Sequence, residues 1–163
     1  RFMKQVEKKE SIDEILQLVS FKIGDEEFGI DILKVQEINK SLQITKVPNS
    51  PPFVEGVINL RGRVIPIICL RTRIGIPKIE LSNQTRIIVV EINGKTIGFI
   101  VDSVSEVLRI PKRITETPPE LTMGIDTRFI TSVAKLEDRL LILLDIDKLL
   151  TNETESELEK IVS

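Results

Sequence analysis

This 163-residue chain contains no histidine, no tryptophan, no tyrosine and a single cysteine. The missing histidine removes the commonest general base and the commonest transition-metal ligand together. With one cysteine, a zinc site would need carboxylates almost alone, and no intrachain disulfide framework is available. Serine nucleophiles have no imidazole partner, and the eight glycines are too dispersed to form a phosphate-cradling loop. No apolar run approaches the length of a bilayer span, and the first residues lack the basic–apolar–small order of a signal peptide. No catalytic residue, cofactor or metal site is therefore expected. Asp31, Glu37, Asp102 and Glu106 are candidates for an acid–base pair. Because Glu37 recurs as Glu106, a repeated surface or turn feature is the simpler reading.

What is present is mostly aliphatic. Isoleucine and valine together outnumber leucine, and branching at Cβ suits a pleated sheet. A net charge of −2 disfavours nucleic acid as the default partner. The one basic concentration is Arg61, Arg63, Arg71, Arg73 and Arg86. A nucleic-acid groove would want aromatic platforms beside that charge, but the six phenylalanines mostly fall on predicted buried faces. These arginines read as strand-end charges or as a surface for docking protein. A small-barrel single-strand nucleic-acid binder is kept as an alternative, to be recognised by steeply salt-dependent oligonucleotide binding.

The chain nearly repeats itself. Phe53 to Leu70 aligns with Phe129 to Ile146, with Phe, Val, Leu and Arg in register. Gly29, Ile32, Val35, Glu37 and Ile38 recur as Gly98, Val101, Val104, Glu106 and Val107. Matched positions of a duplication should share packing roles, so a mismatch asks for another explanation. The sharpest one sets Arg61-Gly62 against Glu137-Asp138.

Alternation predicts a hairpin over 18–32 and another over 86–101, the second turning at Asn93-Gly94. Ser50 followed by Pro51 reads as a helix start, with Phe53, Val54 and Val57 on one face. Asn59 to Leu70 reads as two strands folded over Arg61-Gly62, with Pro66 at an edge or bulge. Cys69 reads as an inert apolar thiol. Residues 74–83 read as a linker between halves. Short strands, hairpins and duplication together predict two small antiparallel barrels packed side by side. The expected division is an N-terminal tail over 1–17, a first barrel over 18–82, a second over 83–150 and a C-terminal helical tail over 151–163.

Three segments then carry a resemblance: Gly24 to Ile38, Phe53 to Arg73 with Asn59-Leu60-Arg61-Gly62, and Thr85 to Leu108. Together they resemble the CheW family, the adaptors of bacterial chemotaxis arrays, over roughly Val19 to Leu150. The resemblance implies a mainly β fold of two five-stranded SH3-like barrels, with short helices and a hydrophobic groove between the barrels. It implies a non-catalytic cytoplasmic protein, associated with receptor arrays without inserting into the membrane. Its implied partners are the cytoplasmic tip of a chemoreceptor and the regulatory domain of the histidine kinase CheA. Val35, Glu37, Gly56, Arg61, Gly62, Ile87 and Val107 stand where the family's partner-binding residues stand. An adaptor-like module of a larger protein, in a kinase or fused to a receiver, is the second reading within scaffolding.

Overall fold

The computed structural model describes residues 14–40, 43–118, 127–150 and 158–161. Among these residues eleven strands form two sheets. They are β1 (Ile15–Ile23), β2 (Glu26–Asp31), β3 (Val35–Lys40), β4 (Val54–Leu60), β5 (Arg63–Cys69), β6 (Arg86–Ile92), β7 (Lys95–Val101), β8 (Ser103–Pro111), β9 (Thr115–Glu116), β10 (Ile130–Lys135) and β11 (Leu140–Leu144). One four-residue helix, α1 (Leu70–Arg73), follows β5, and a 3-10 turn at Ile146–Leu149 occupies the matched place after β11. The protein is mainly β, in keeping with its β-branched composition.

The sheets do not follow the 18–82 and 83–150 division. One sheet runs β8-β1-β2-β11-β10-β9, and the other runs β3-β6-β7-β5-β4. Each half of the chain therefore lends its hairpin to the sheet built mainly by the other half. The register is symmetric in detail: β2 pairs parallel with β11 through Leu143–Gly29, and β5 pairs parallel with β7 through the matched Ile67–Gly98. The shift between Val54 and Gly56 recurs between Ile130 and Ser132. Strand partners are set by long-range packing, which two hairpins of the same pattern satisfy either way.

Three apolar clusters follow. Ile58, Ile65, Ile67, Ile87 and Val89 fill the curl of the second sheet, and Leu18, Ala134, Leu141 and Leu143 fill that of the first. The largest cluster lies between the sheets and joins Phe21, Phe28 and Ile30 of one to Ile88, Val90 and Phe99 of the other. Phe21 and Phe28 stack with ring centroids 5.7 Å apart. The seam between the two halves is thus largely packed core. Each large side chain it buries contributes about 1.5–3 kcal/mol.

Other expectations change. Residues 50–57 make no helix: Ser50 Oγ donates to Val47 O at 2.8 Å, and β4 alternates, burying Val54, Gly56, Ile58 and Leu60. Pro66 lies in an interior strand, opposite Val57 and one residue before the ladder to β7 begins. Ile15 to Gln17, expected in the tail, already belong to β1, and residues 1–13 lie outside the described set. At the other end residues 158–161 are helical and Leu158 reaches the central core, while 151–157 and 162–163 lie outside the described residues.

Two polar devices fasten the exchanged halves. The Arg73 guanidinium lies 5.3 Å from the ring centre of Phe53 and 4.8 Å from that of its counterpart Phe129. Its Nε donates to the carbonyl of Leu149, its own counterpart, at 2.8 Å. Arg73 therefore sits where the approximate twofold relating the copies would pass. Arg71 grips Asp102 with two hydrogen bonds, 2.9 and 2.6 Å long, and Asp102 also accepts from the Gly24 amide at 2.7 Å. This joins α1 and the end of β7 to the turn of the lent hairpin β1–β2. Burial pushes the Asp102 carboxyl up, but the hydrogen bonds from Arg71 and Gly24 and the charge of Arg71 outweigh it and hold the group low.

Two outcomes are expected. Fragments 1–82 and 83–163, prepared separately, lack a cooperative unfolding transition, and mixing them restores one; a fragment that folds alone would contradict the exchange. Because Asp102 titrates below its ordinary value of 3.8, its contribution is complete above that pH and disappears as pH falls through the lowered value. Asp102→Asn should cost about 1.5–3 kcal/mol at pH 7 and flatten the acid limb of a stability–pH profile measured by urea unfolding.

Candidate partner-binding surface

Residues 61 and 62 form the tight turn between β4 and β5, with φ of 52° and 83°. Both lie in the left-handed region that matches the twist of a two-residue hairpin. The Asn59 side chain accepts from the Gly62 amide at 2.8 Å and stiffens the turn. Arg61 projects from the tip with its side chain 71% exposed.

Glu37 reaches it from the opposite end of the same sheet. A register shift between Val35 and Glu37 in the β3–β6 ladder re-aims the residues of β3. The sheet curls until β3 approaches the β4–β5 tip, and Thr45, beyond β3, bridges to Val57 with two backbone hydrogen bonds of 2.8 and 2.9 Å. Both terminal nitrogens of the Arg61 guanidinium donate to the Glu37 carboxylate, one at 3.3 Å and one closer. The hydrogen bond from Arg61 holds the Glu37 carboxyl below the ordinary carboxylate range, against burial and with help from Asn39. Two charges of opposite sign are thus fixed side by side, and Ile38 on β3 and Val64 on β5 are exposed on the strands that carry them.

The seven expected site residues do not form one patch. Glu37, Arg61 and Gly62 come together, and half-buried Val35 begins the same strand while packing on the central core. Gly56 is buried: its φ is 151°, and a Cβ there would overlap the Thr45 carbonyl. It admits the crossing strand and offers nothing to a partner. Ile87 is 1% exposed and fills the curl of its sheet. Val107 stands on β8 of the other sheet, 55% exposed.

Nor do the five arginines form one basic surface. Arg71 and Arg73 face inward partners, Arg63 donates to Thr96 Oγ1 at 3.2 Å, and Arg86 donates to the carbonyls of Asn83 and Thr85. Cys69 is a buried free thiol.

Sequence reasoning did not single out Ile38, Val64 and Leu140, all three of which are exposed. Val107 and Leu140 match Ile38 and Val64, and Glu106 matches Glu37. The second copy thus repeats the rim with a different arginine. Arg139 donates to buried Glu27 at 2.6 Å and lies 3.6 Å from Glu106. None of the residues 136–139 has a positive φ, so this turn is built differently from Arg61-Gly62. Among the described residues no group of three or more metal-ligating side chains exists, and no helix is long and apolar enough to cross a membrane.

The chain matches the CheW-like domain model over residues 17–154. It is 40% identical over 137 residues to a chemotaxis protein CheW of Klebsiella aerogenes, covering 84% of this chain and 82% of that one. It is 37% identical over 146 residues to the Helicobacter pylori chemotaxis protein CheW, covering 90% and 88%. Its structure resembles the crystal structure of the scaffolding protein TtCheW from Thermoanaerobacter tengcongensis. The TM-score is 0.78 at 42% identity, covering 86% of this chain and 91% of that one.

The two glycines separate by mutation. Nothing lies within 4 Å of a Cβ at position 62, so Gly62→Ala should cost only the left-handed backbone, about 1–2 kcal/mol. Gly56→Ala must also displace the Thr45 backbone and should cost more than about 3 kcal/mol. Equal losses in chemical denaturation would refute this account of Gly56.

Proposed function

This chain belongs to the CheW family, and from that premise we propose that it couples chemoreceptors to the histidine kinase CheA through the rim built by Arg61 and Glu37. As a member it is a non-catalytic scaffold of chemotaxis signalling. The finer reading rests chiefly on one observation: a paired but exposed arginine held on a tight turn, with the partly exposed aliphatic side chains of Ile38 and Val64 on the strands that carry the pair. Such a paired fork keeps its geometry in the free protein, so little order remains to be imposed when a partner docks. Ile38 and Val64, with half-buried Val35 beside them, would supply the apolar contact for a helical hairpin tip, and Val107, on the other sheet, would form a separate contact. Gly62 contributes by shaping the turn, and Ile87 and Gly56 act from beneath by fixing the strands. The kinase regulatory domain would occupy a separate surface, which allows receptor and kinase to be held at once in a cytoplasmic array.

Binding of a receptor-tip fragment, measured by titration, tests the rim. Arg61→Glu should weaken association by about tenfold or more, roughly 1.4 kcal/mol. The melt should barely move, because an exposed ion pair contributes about 0–1 kcal/mol. Glu37→Arg combined with Arg61→Glu restores an ion pair of reversed order. If the double variant regains full affinity, Arg61 acts only by ordering the edge and does not touch the receptor.

A further inference from the structure

At one position the two copies part in a way that packing does not explain. Asn39 lies on β3 opposite Ile87. Its counterpart Leu108 lies on β8 opposite Leu18, the counterpart of Ile87. Cross-strand partners share a face of the sheet, so both positions look into the curl of their own sheet. Ile87 belongs to the apolar filling of one curl, and Leu108 packs on that of the other. The scaffold therefore accepts a leucine here. Asn39 instead brings an amide, and its Oδ1 is buried with no hydrogen-bond partner. A buried acceptor left unpaired costs free energy that an apolar side chain avoids.

The other end of that amide serves Glu37. Residues two apart in a strand point to the same side, which sets Asn39 beside Glu37, and its side chain hydrogen-bonds the Glu37 carboxylate. An ionised carboxylate only accepts, so the amide nitrogen must face Glu37 and the oxygen is left over. Glu37 in turn accepts from both terminal nitrogens of Arg61. In the copy that has leucine, the matched acid is held more loosely. Glu106 lies 3.6 Å from Arg139 with its side chain 56% exposed, against 27% for Glu37.

We propose that Asn39 is a positioning residue for partner recognition: it steadies Glu37, and through Glu37 it fixes the Arg61 guanidinium at the turn tip. The inference rests on the reading that Arg61 meets the receptor, and it adds a residue to that site. Asn39 itself need not touch the partner. Its unpaired oxygen is the consequence of committing the amide nitrogen to Glu37.

Asn39→Leu, which copies the twin, tests this beside Glu37→Ala and the double variant. Titration with a receptor-tip fragment should find Asn39→Leu roughly threefold to tenfold weaker, because the Arg61 side chain must then be ordered on binding. Urea unfolding should find it no less stable than the native chain. In carbon-13 NMR its Glu37 carboxyl should titrate at higher pH than in the native chain, having lost a donor. On the Glu37→Ala background, Asn39→Leu should weaken binding no further, since it acts only through Glu37. Native affinity in Asn39→Leu, an unmoved Glu37 titration, or a full further loss in the double variant would each overturn the inference. So would a loss of stability in Asn39→Leu, which would make Asn39 a packing residue. Full affinity in Arg61→Glu would remove the receptor reading and this inference with it, whereas native affinity in Asn39→Leu alone would remove only the inference.

Discussion

Neither half of this chain can finish its own sheet, and the rest of the structure depends on that constraint. The hairpin β1–β2 is completed by β8, β10 and β11, and the hairpin β6–β7 by β3 to β5. Exchange forces the two sheets to share one large apolar core, so the halves form a single cooperative body. Arg73 illustrates how closely the copies converge. A cation between two aromatic faces contributes about 0.5–2 kcal/mol, depending on desolvation, and here the two rings are the same residue counted twice. Leu149, at the matched position, contributes an apolar side chain and a carbonyl instead. Two arginines meeting at such an axis would repel, so the sequence breaks the symmetry where symmetry would cost most.

Much of this was readable in the residues. The duplication, the hairpin turns at Asn93-Gly94 and Arg61-Gly62 and the placement of Arg61 at a turn tip all follow from spacing and turn chemistry. The exchange of hairpins was not readable, because both hairpins present the same alternation to either set of acceptor strands. Ser50-Pro51 imitates a helix start, and Gly56 interrupts the alternation that would otherwise have announced β4. Ile87 and Val107 could not be told apart by type: both are β-branched strand residues, but one lies in an interior strand and the other on an outer one. The Glu37 partner of Arg61 is 24 residues away in sequence and arrives only through the curl of the sheet.

The two copies have kept their scaffold and diverged in polar chemistry. Arg71–Asp102 in one copy is answered by Asp147–Lys34 in the other, with the signs reversed. Reversal keeps attraction within each copy and prevents the clasps from exchanging partners. At the rims, Arg61 serves one acid while Arg139 serves Glu27, Asp138 and Glu106. The second rim is therefore tied more firmly into its own sheet. Matched surfaces have become chemically distinct, so the two no longer present the same recognition chemistry.

The interleaved strand order also dictates a schedule on the ribosome. The sheet of β3 to β7 has all its strands once Val101 has been made, whereas β1–β2, the first hairpin out, must wait for β11 at Leu144. At about 5–20 residues per second, that delay lasts on the order of 5–20 s. Until Val101 is made, Phe21 and Phe28 lack Ile88, Val90 and Phe99, and β2 lacks its neighbour β11 until Leu144 is made. A neighbouring nascent chain offers the same acceptor strands and can capture that hairpin by the same pairing, although the chain's own strands hold the advantage of effective concentration. Slow elongation, or crowded synthesis on one messenger, thus lengthens the window in which intertwined pairs can form.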